Sequence, residues 1–402
     1  MTDAAALPEL HFDERFFRDP HGTTAPLLRE GARAARVPEL GTVFLLRYAD
    51  VMQALLDRRF GAIGVRYYEQ QGWRDGPYID WVRRTVVFLD PPDHDRLRAL
   101  LSRAFTPRQV ARVRPITEQL ANQLMDGALE AREVDFYDAF AQRLPLQVIC
   151  SMLAIPDIDH HAVGEWTAAL SLATATPTAD ARAGADRAIA AFDEYASGLI
   201  AERRDRPGDD LLSELIAVEE SGDRLAKDEL VAMVIQMLYA GHETTRNLIG
   251  NGLFTLLQHP AQLARLRREP ALLPGAVEEM LRFEPPILFV SRVLGADVEW
   301  AGVRVRKGDL VHLGLAAGNR DPAHFGHADD FEIGRTPIRN LSFGWGMHFC
   351  LGASIARMEG RVAFETLLAR TSKIEWAGPS PAWAPATALR TLEAFPVRLT
   401  SR

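Results

Sequence analysis

Cys350 is the residue on which chemistry can turn. It closes the segment Phe343-Gly-Trp-Gly346-Met-His348-Phe-Cys350-Leu-Gly352, immediately before a helical pattern over Leu351 to Arg370. A thiol at a helix N-terminus meets unpaired backbone N–H groups and the positive end of the helix dipole. Both favour thiolate over thiol and make a soft, anionic metal ligand. Gly346 and Gly352 let the chain turn tightly around the sulfur and let a bulky flat group lie close to the backbone. A lone cysteine without such a setting is a small buried hydrophobe, which is the reading for Cys150 inside Leu146-Gln-Val-Ile-Cys-Ser-Met-Leu153.

Three more groups place polar side chains at helical spacing. Glu279 and Arg282 stand i and i+3 on a short helix before Pro285-Pro286, close enough to pair. Ala240-Gly241-His-Glu243-Thr244-Thr245 falls in the middle of a 31-residue helical pattern, Asp228 to Gln258, about 46 Å long at ~1.5 Å per residue. A glycine there costs about 1 kcal/mol relative to alanine, and a hydroxyl beside an acid can hold water and relay protons. His94 and Arg98, i and i+4 after Asp90-Pro-Pro-Asp93, put two donors on one helical face, an arrangement that suits a carboxylate. Taken singly, each group has an ordinary structural reading: an exposed ion pair, incidental polar residues, or solvated charge.

Phe343, Gly346, Cys350 and Gly352 fit the pattern Phe-x-x-Gly-x-x-x-Cys-x-Gly. With the other motifs in order behind it, the chain resembles the cytochromes P450, specifically their bacterial soluble members, over roughly residues 36 to 399. The resemblance implies heme b (iron protoporphyrin IX) bound through its iron by Cys350, with O2 as co-substrate and one oxygen atom inserted into an organic substrate. It implies that Glu279, Arg282 and Arg335 form a structural cluster behind the cysteine loop, and that His94, Arg98, Arg292 and His348 contact the haem propionates. Ala240 and Gly241 lie over the haem, with Gly241 loosening the helix's backbone ladder. Thr244 positions oxygen and water, and Glu243 delivers protons. A peroxide-using or isomerising enzyme of the same fold, and a non-catalytic haem sensor, are the alternatives.

Electrons must come from outside, because the chain carries no flavin- or iron–sulfur-binding segment, and the resemblance implies a ferredoxin and its ferredoxin reductase as the source, with NAD(P)H serving only indirectly. Arg96, Arg98, Arg103, Arg108, Arg112 and Arg114 run without an acid until Glu118, either as a solvated face or as a docking patch for an acidic ferredoxin.

Stepping back from Thr244 by four and eight along one helical face gives Ala240 and Gln236 as walls of the substrate pocket. Gln236 is an amide in an apolar run and is expected to bond a polar group of substrate, or else protein or water. Tyr239 stands where the family usually has an aliphatic residue. The resemblance adds Ile287, Leu288, Phe289, Val290 and Leu389 to the walls. Tyr67, Tyr68, Trp73, Tyr78 and Trp81, in the stretch from Gly61 to Trp81, line the pocket mouth or pack that stretch down. The substrate class expected is a medium-sized, mostly apolar molecule.

The elements that must position these residues are mostly helices: Asp50 to Leu56, Asp95 to Phe105, Pro107 to Glu130, Ala183 to Arg203, Asp228 to Gln258, Pro260 to Glu269, Gly275 to Phe283 and Leu351 to Arg370. Thr42 to Leu46, Val298 to Trp300 and Val303 to Val305 read as strands of small antiparallel hairpins. The fold class is therefore mainly α with a minor β part, the cytochrome P450 fold by resemblance, in one domain over residues 1–402. The haem would be sandwiched between the long central helix and the helix that follows the cysteine. Composition agrees with a folded chain: 47% apolar and 25% charged residues, with 46 Lys+Arg against 54 Asp+Glu for a net charge of −8. That acidity gives no reason to expect nucleic acid. Two cysteines and no signal or membrane-anchoring segment point to a cytoplasmic protein, expected as a monomer.

Overall fold

The protein's structure, a computed structural model, describes residues 7–156, 159–175, 178–220, 225–384 and 388–402. Its helical part rests on α1 (Tyr48–Leu56), α2 (Asp93–Ala104), α3 (Pro107–Ala131), α4 (Arg143–Met152), α5 (His160–Ala175), α6 (Ala179–Asp205), α7 (Lys227–Gln258), α8 (Leu273–Phe283) and α9 (Ala353–Arg370). Most match the sequence expectation to within a turn. α4 and α5 lie where no helix is anticipated, and a six-residue π-helix, Tyr137–Gln142, precedes α4. Local signals set several ends. Thr106 caps α3 by accepting from Gln109 N, with Pro107 at the first helical position. Thr178 likewise caps α6 by accepting from Ala181 N.

α7 is the axis of the molecule. It packs on α4, α5, α6, α8 and α9, so it is apolar on nearly every side and most of its residues are buried. The exceptions along its middle are informative: Gln236, Tyr239, Ala240, Gly241, Thr244 and Arg246 retain exposure. Residues 236, 240 and 244 recur at i, i+4 and i+8, which marks one stripe facing open space inside the protein.

The β part is a five-stranded mixed sheet: β1 (Ala34–Val37), β2 (Thr42–Leu45), β3 (Phe60–Gly61), β4 (Phe289–Leu294) and β5 (Leu310–Gly314), in the order β1-β2-β5-β4-β3. β2 pairs with β1 as an antiparallel hairpin, as its local sequence suggests, but its other edge runs parallel to β5. Val298–Trp300 and Val303–Val305 form the expected hairpin, turning through Ala301 and Gly302, both at positive φ. A third sheet joins Glu133–Asp135, Pro396–Ser401 and Thr371–Trp376. Among the described residues no helix is long and apolar enough to cross a membrane.

Candidate active site

The loop before α9 is built on two turns that only glycine makes cheaply. Gly344 and Gly346 sit at φ +66° and +72°, and a Cβ on Gly346 would come within 2.5 Å of the Leu55 carbonyl oxygen. The loop closes by Cys350 N donating to the Phe343 carbonyl at 2.9 Å. α9 begins at Ala353, two residues later than the sequence pattern suggests, so Cys350 precedes the helix by a short turn rather than opening it. The expectation of a ready-made thiolate is corrected accordingly. Burial pushes the thiol above its ordinary value, outweighing the Gly352 N–H and the charges of Arg98 and Arg357. A bound metal cation, not the loop, would deprotonate this sulfur. A Cβ on Gly352 would meet nothing within 4 Å, so open space lies beside the chain next to the cysteine.

Four donor groups from three distant segments gather beside it. The His94 and His348 rings meet edge to face, 4.5 Å between centroids. His94 Nδ1 lies 2.9 Å from Asp95, and Arg98 donates to the Phe349 carbonyl at 2.6 Å. Arg292 bonds only to its neighbour's carbonyl, Ser291, at 3.0 Å, and burial pulls its guanidinium down to about 10. Burial, then Arg292, His94 and Arg98, pull His348 down to about 3. His348 Nε2 is buried with no hydrogen-bond partner. Half-buried guanidinium groups beside an orphaned ring nitrogen form a receptor for anionic groups. Together with the Cys350 sulfur and the open space beside Gly352, this donor set fits a metal-bearing diacid such as haem.

Behind the loop, Glu279, Arg282 and Arg335 meet. Arg282 clasps Glu279 at 2.7 and 2.8 Å, and both side chains are wholly buried. Arg335 adds a bond to the same carboxylate at 3.1 Å. Phe343 packs under the Arg357 guanidinium, which is paired with Glu278.

On α7, Thr244 Oγ1 donates to the Ala240 carbonyl at 3.1 Å and Thr245 Oγ1 to that of Gly241 at 3.4 Å. The helix stays α throughout, so the loosened ladder expected at Gly241 is not observed. The two hydroxyls share the carbonyls without breaking the helix. Gly241 serves close packing instead, since a Cβ there would sit 3.1 Å from Ile149 of α4.

Glu243 is buried, and its position three residues after Ala240 and seven after Gln236 puts it at the edge of the 236–240–244 stripe. Its oxygens lie 3.2 Å from His242 Nε2 and 2.7 Å from Arg246 Nη2, and no hydrogen bond joins it to Thr244. Burial raises its pKa, but the His242 bond and the Arg246 charge prevail and hold the carboxyl below its ordinary value. Arg246 reaches on to Gln142 at 3.1 Å. The sequence reading missed Arg246, although its i, i+3 spacing from Glu243 repeats that of Glu279 and Arg282.

The proposed pocket walls divide. Ile287 and Leu389 are half-buried and face each other across an isolated β-bridge. Val290 shares the face of β4 that carries Arg292, because strand side chains alternate. The same alternation corrects Phe289, which joins Phe12, Phe16 and Phe44, and Leu288 is buried in that cluster too. Both turn away from the stripe. Gln236 makes no hydrogen bond and its Oε1 is sealed from solvent. Tyr239 is half-buried, and its hydroxyl donates to Thr174 at 3.3 Å. Tyr68, Trp73, Tyr78 and Trp81 are buried, so that stretch packs down as a roof.

The arginine run is corrected as well. Arg96 pairs with Glu229, Arg112 with Asp209 and Arg114 with Glu118 and Glu365, while Arg98 turns toward the cysteine loop. The Arg103 side chain lies outside what is described, which leaves Arg108 as the exposed cation of the run. Acids distant in sequence neutralise what a local count left bare.

A sequence model of the cytochrome P450 family matches residues 160–372. The chain is 40% identical to Cytochrome P450 107B1 of Saccharopolyspora erythraea over 99% of both chains. It belongs to the cytochrome P450 family. It is also 39% identical to the 6-deoxyerythronolide B hydroxylase of the same organism, over 98% of this chain and 99% of that one. Its structure superposes on that of CalO2 with a TM-score of 0.92 at 34% identity, covering 97% and 98% of the two chains. The P450 is thus a haem- and O2-dependent monooxygenase, an oxidoreductase that incorporates oxygen into an organic substrate. The matched span covers α5, α6, α7, α8, the cysteine loop and α9.

Proposed function

We propose that this P450 hydroxylates a medium-sized, mostly apolar organic molecule in secondary metabolism, using heme b held by Cys350. The observation that carries the reading is the orphaned His348 nitrogen among Arg292, His94 and Arg98, two residues from the half-buried Cys350. His94, Arg98, Arg292 and His348 would hold the propionates, and Gly352 would leave room for the ring beside the chain. Ligated by a thiolate, the haem supplies oxygen activation with electron density that favours O–O cleavage. The protein's own residues do the rest. Ala240 leaves space beside the reacting centre, the Thr244 hydroxyl positions oxygen and water, and Glu243 moves protons.

Gln236, unpaired in the protein, takes a polar group of the substrate, while Ile287, Val290 and Leu389 supply apolar wall. Tyr239, its hydroxyl tied to Thr174, narrows the pocket. The reading extends to electrons from a ferredoxin and its reductase, drawn indirectly from NAD(P)H, in a cytoplasmic, monomeric, single-domain enzyme. Cys350→Ser tests the core of it. The variant should lose the red-shifted absorbance band of the reduced carbon monoxide complex, and an unchanged band would refute Cys350 as the iron ligand. A screen of small apolar compounds for spin-state shifts of the ferric protein then finds the substrate class. A Gln236→Leu variant that binds hydroxylated and plain analogues with the wild-type preference would remove Gln236 from the pocket.

A further inference from the structure

We infer that a seam of hydroxyl groups between α5 and α7 is the route by which protons reach Glu243. Thr167, Ser171 and Thr174 follow one another at i, i+4 and i+7 on α5, so they share one helical face. Opposite them on α7 stand His242, Glu243 and Tyr239. At the inner end Thr167 Oγ1 lies 3.3 Å from His242 Nε2, which in turn lies 3.2 Å from Glu243 Oε1. His242 is fixed there because Nδ1 donates to the Leu238 carbonyl at 2.9 Å. At the outer end the Tyr239 hydroxyl donates to Thr174 at 3.3 Å, Thr174 lies 3.3 Å from the Tyr78 hydroxyl, and Tyr78 donates to Tyr68 at 2.9 Å. Thr174 is exposed, so the seam opens to water at this end.

Ser171 spans the gap between the two ends. Its hydroxyl is buried and makes no hydrogen bond of its own, yet it stands beside both the Tyr239 hydroxyl and the Glu243 carboxylate. A buried hydroxyl left without a partner costs about 1–3 kcal/mol, and a hydroxyl that turns between a donor and an acceptor accounts for that placement. Each link can accept a proton from one neighbour and give its own to the next. A proton taken from water at Thr174 therefore places one proton on Glu243, with every hydroxyl restored and no electron moved. Arg246 occupies Oε2, so Oε1 is the receiving oxygen.

This inference rests on the proton-moving role proposed for Glu243, and the test separates the two. Ser171→Ala and Tyr239→Phe each delete one O–H, and Ser171→Thr restores the first. In the ferric protein, the infrared carboxylate band identified by its loss in Glu243→Gln should shift in Ser171→Ala and return in Ser171→Thr. In turnover, the share of electrons released as hydrogen peroxide should rise about fivefold in the Ala and Phe variants, well under the roughly 10²–10⁴-fold worth of a positioned acid or base, because each variant removes one relay hydroxyl and leaves Glu243 in place. The solvent deuterium isotope effect should rise with it, and the double variant should be no worse than the worse single one. An unmoved band, or a peroxide share at the wild-type level in both single variants while Glu243→Gln releases peroxide, overturns the seam alone. A Glu243→Gln enzyme that stays fully coupled overturns the role of Glu243 and the seam with it.

Discussion

Replacing Arg282 by methionine removes the guanidinium around which the segment behind the cysteine loop is folded. Five bonds converge on it: two from Glu279, and one each from the carbonyls of Asn319, Ala328 and Asp330 at 3.0, 2.7 and 2.9 Å. Without it Glu279 keeps only Arg335 and the Glu332 N–H, the buried carbonyls of Asn319 and Ala328 lose a donor, and that of Asp330 keeps only Arg335. Removing one partner of a buried ion pair costs about 3–5 kcal/mol. With an unfolding entropy of ~2.1 cal/mol/K per residue over the 402 residues, that lowers Tm by about 4–6 °C. Arg282→Lys keeps the charge but offers three donors from one nitrogen, so it should fall between wild type and Arg282→Met. Arg335→Met, at the edge of the cluster, should cost less, about 1–3 kcal/mol. Calorimetric melting of the three variants gives the order, and the carbon monoxide spectrum reports whether the cysteine loop survives. An Arg282→Met protein within about 1 kcal/mol of wild type, or one more stable than Arg335→Met, would refute the reasoning from a buried, one-sided charge.

His312 makes stability depend on acid. Its ring bonds Ser291 at 2.9 Å and Thr42 at 3.0 Å amid phenylalanines, and burial pulls its pKa from 6.5 to about 4. The unfolded chain takes up that proton first, so the contribution is whole above pH 6.5 and is lost as pH falls toward 4, by about 3 kcal/mol. Urea unfolding across this window should show a shallower slope for His312→Gln, and parallel slopes would exclude the effect. Gly346→Ala should destabilise the haem-free chain by more than about 2 kcal/mol, from positive φ and the clash with Leu55. Gly352→Ala should leave haem-free stability within about 0.5 kcal/mol yet weaken haem retention. Equal melting of the two haem-free proteins would contradict this assignment of the glycines.

Much of the helical frame was legible in the chain itself, because an amphipathic helix writes its period into neighbouring residues. α2 and α3 read that way, while α7 and α9, buried on most sides, read from the length of their apolar-rich runs without a helix-breaking proline. α5 did not, since its Ala, Ser and Thr on every face blur the apolar period, and the π-helix at Tyr137–Gln142 follows no period that local patterning reveals. Nor does anything near Thr42–Leu45 name Leu310–Gly314 as its parallel partner, because strand pairing is decided across the chain.

By itself the sequence singled out Cys350 in its glycine turn and the short-range relations, Glu279 with Arg282 and the 236–240–244 stripe. Helical spacing sets such relations within a few residues. Tertiary structure alone decided that Arg335 joins Glu279, that His348 meets His94, that Phe289 faces away from the pocket, and that acids shield the arginine run. It also decided the charge state favoured at Cys350 and Glu243. Desolvation and the company of remote charges belong to the packed whole, and no local rule sets the distance between residues hundreds of positions apart.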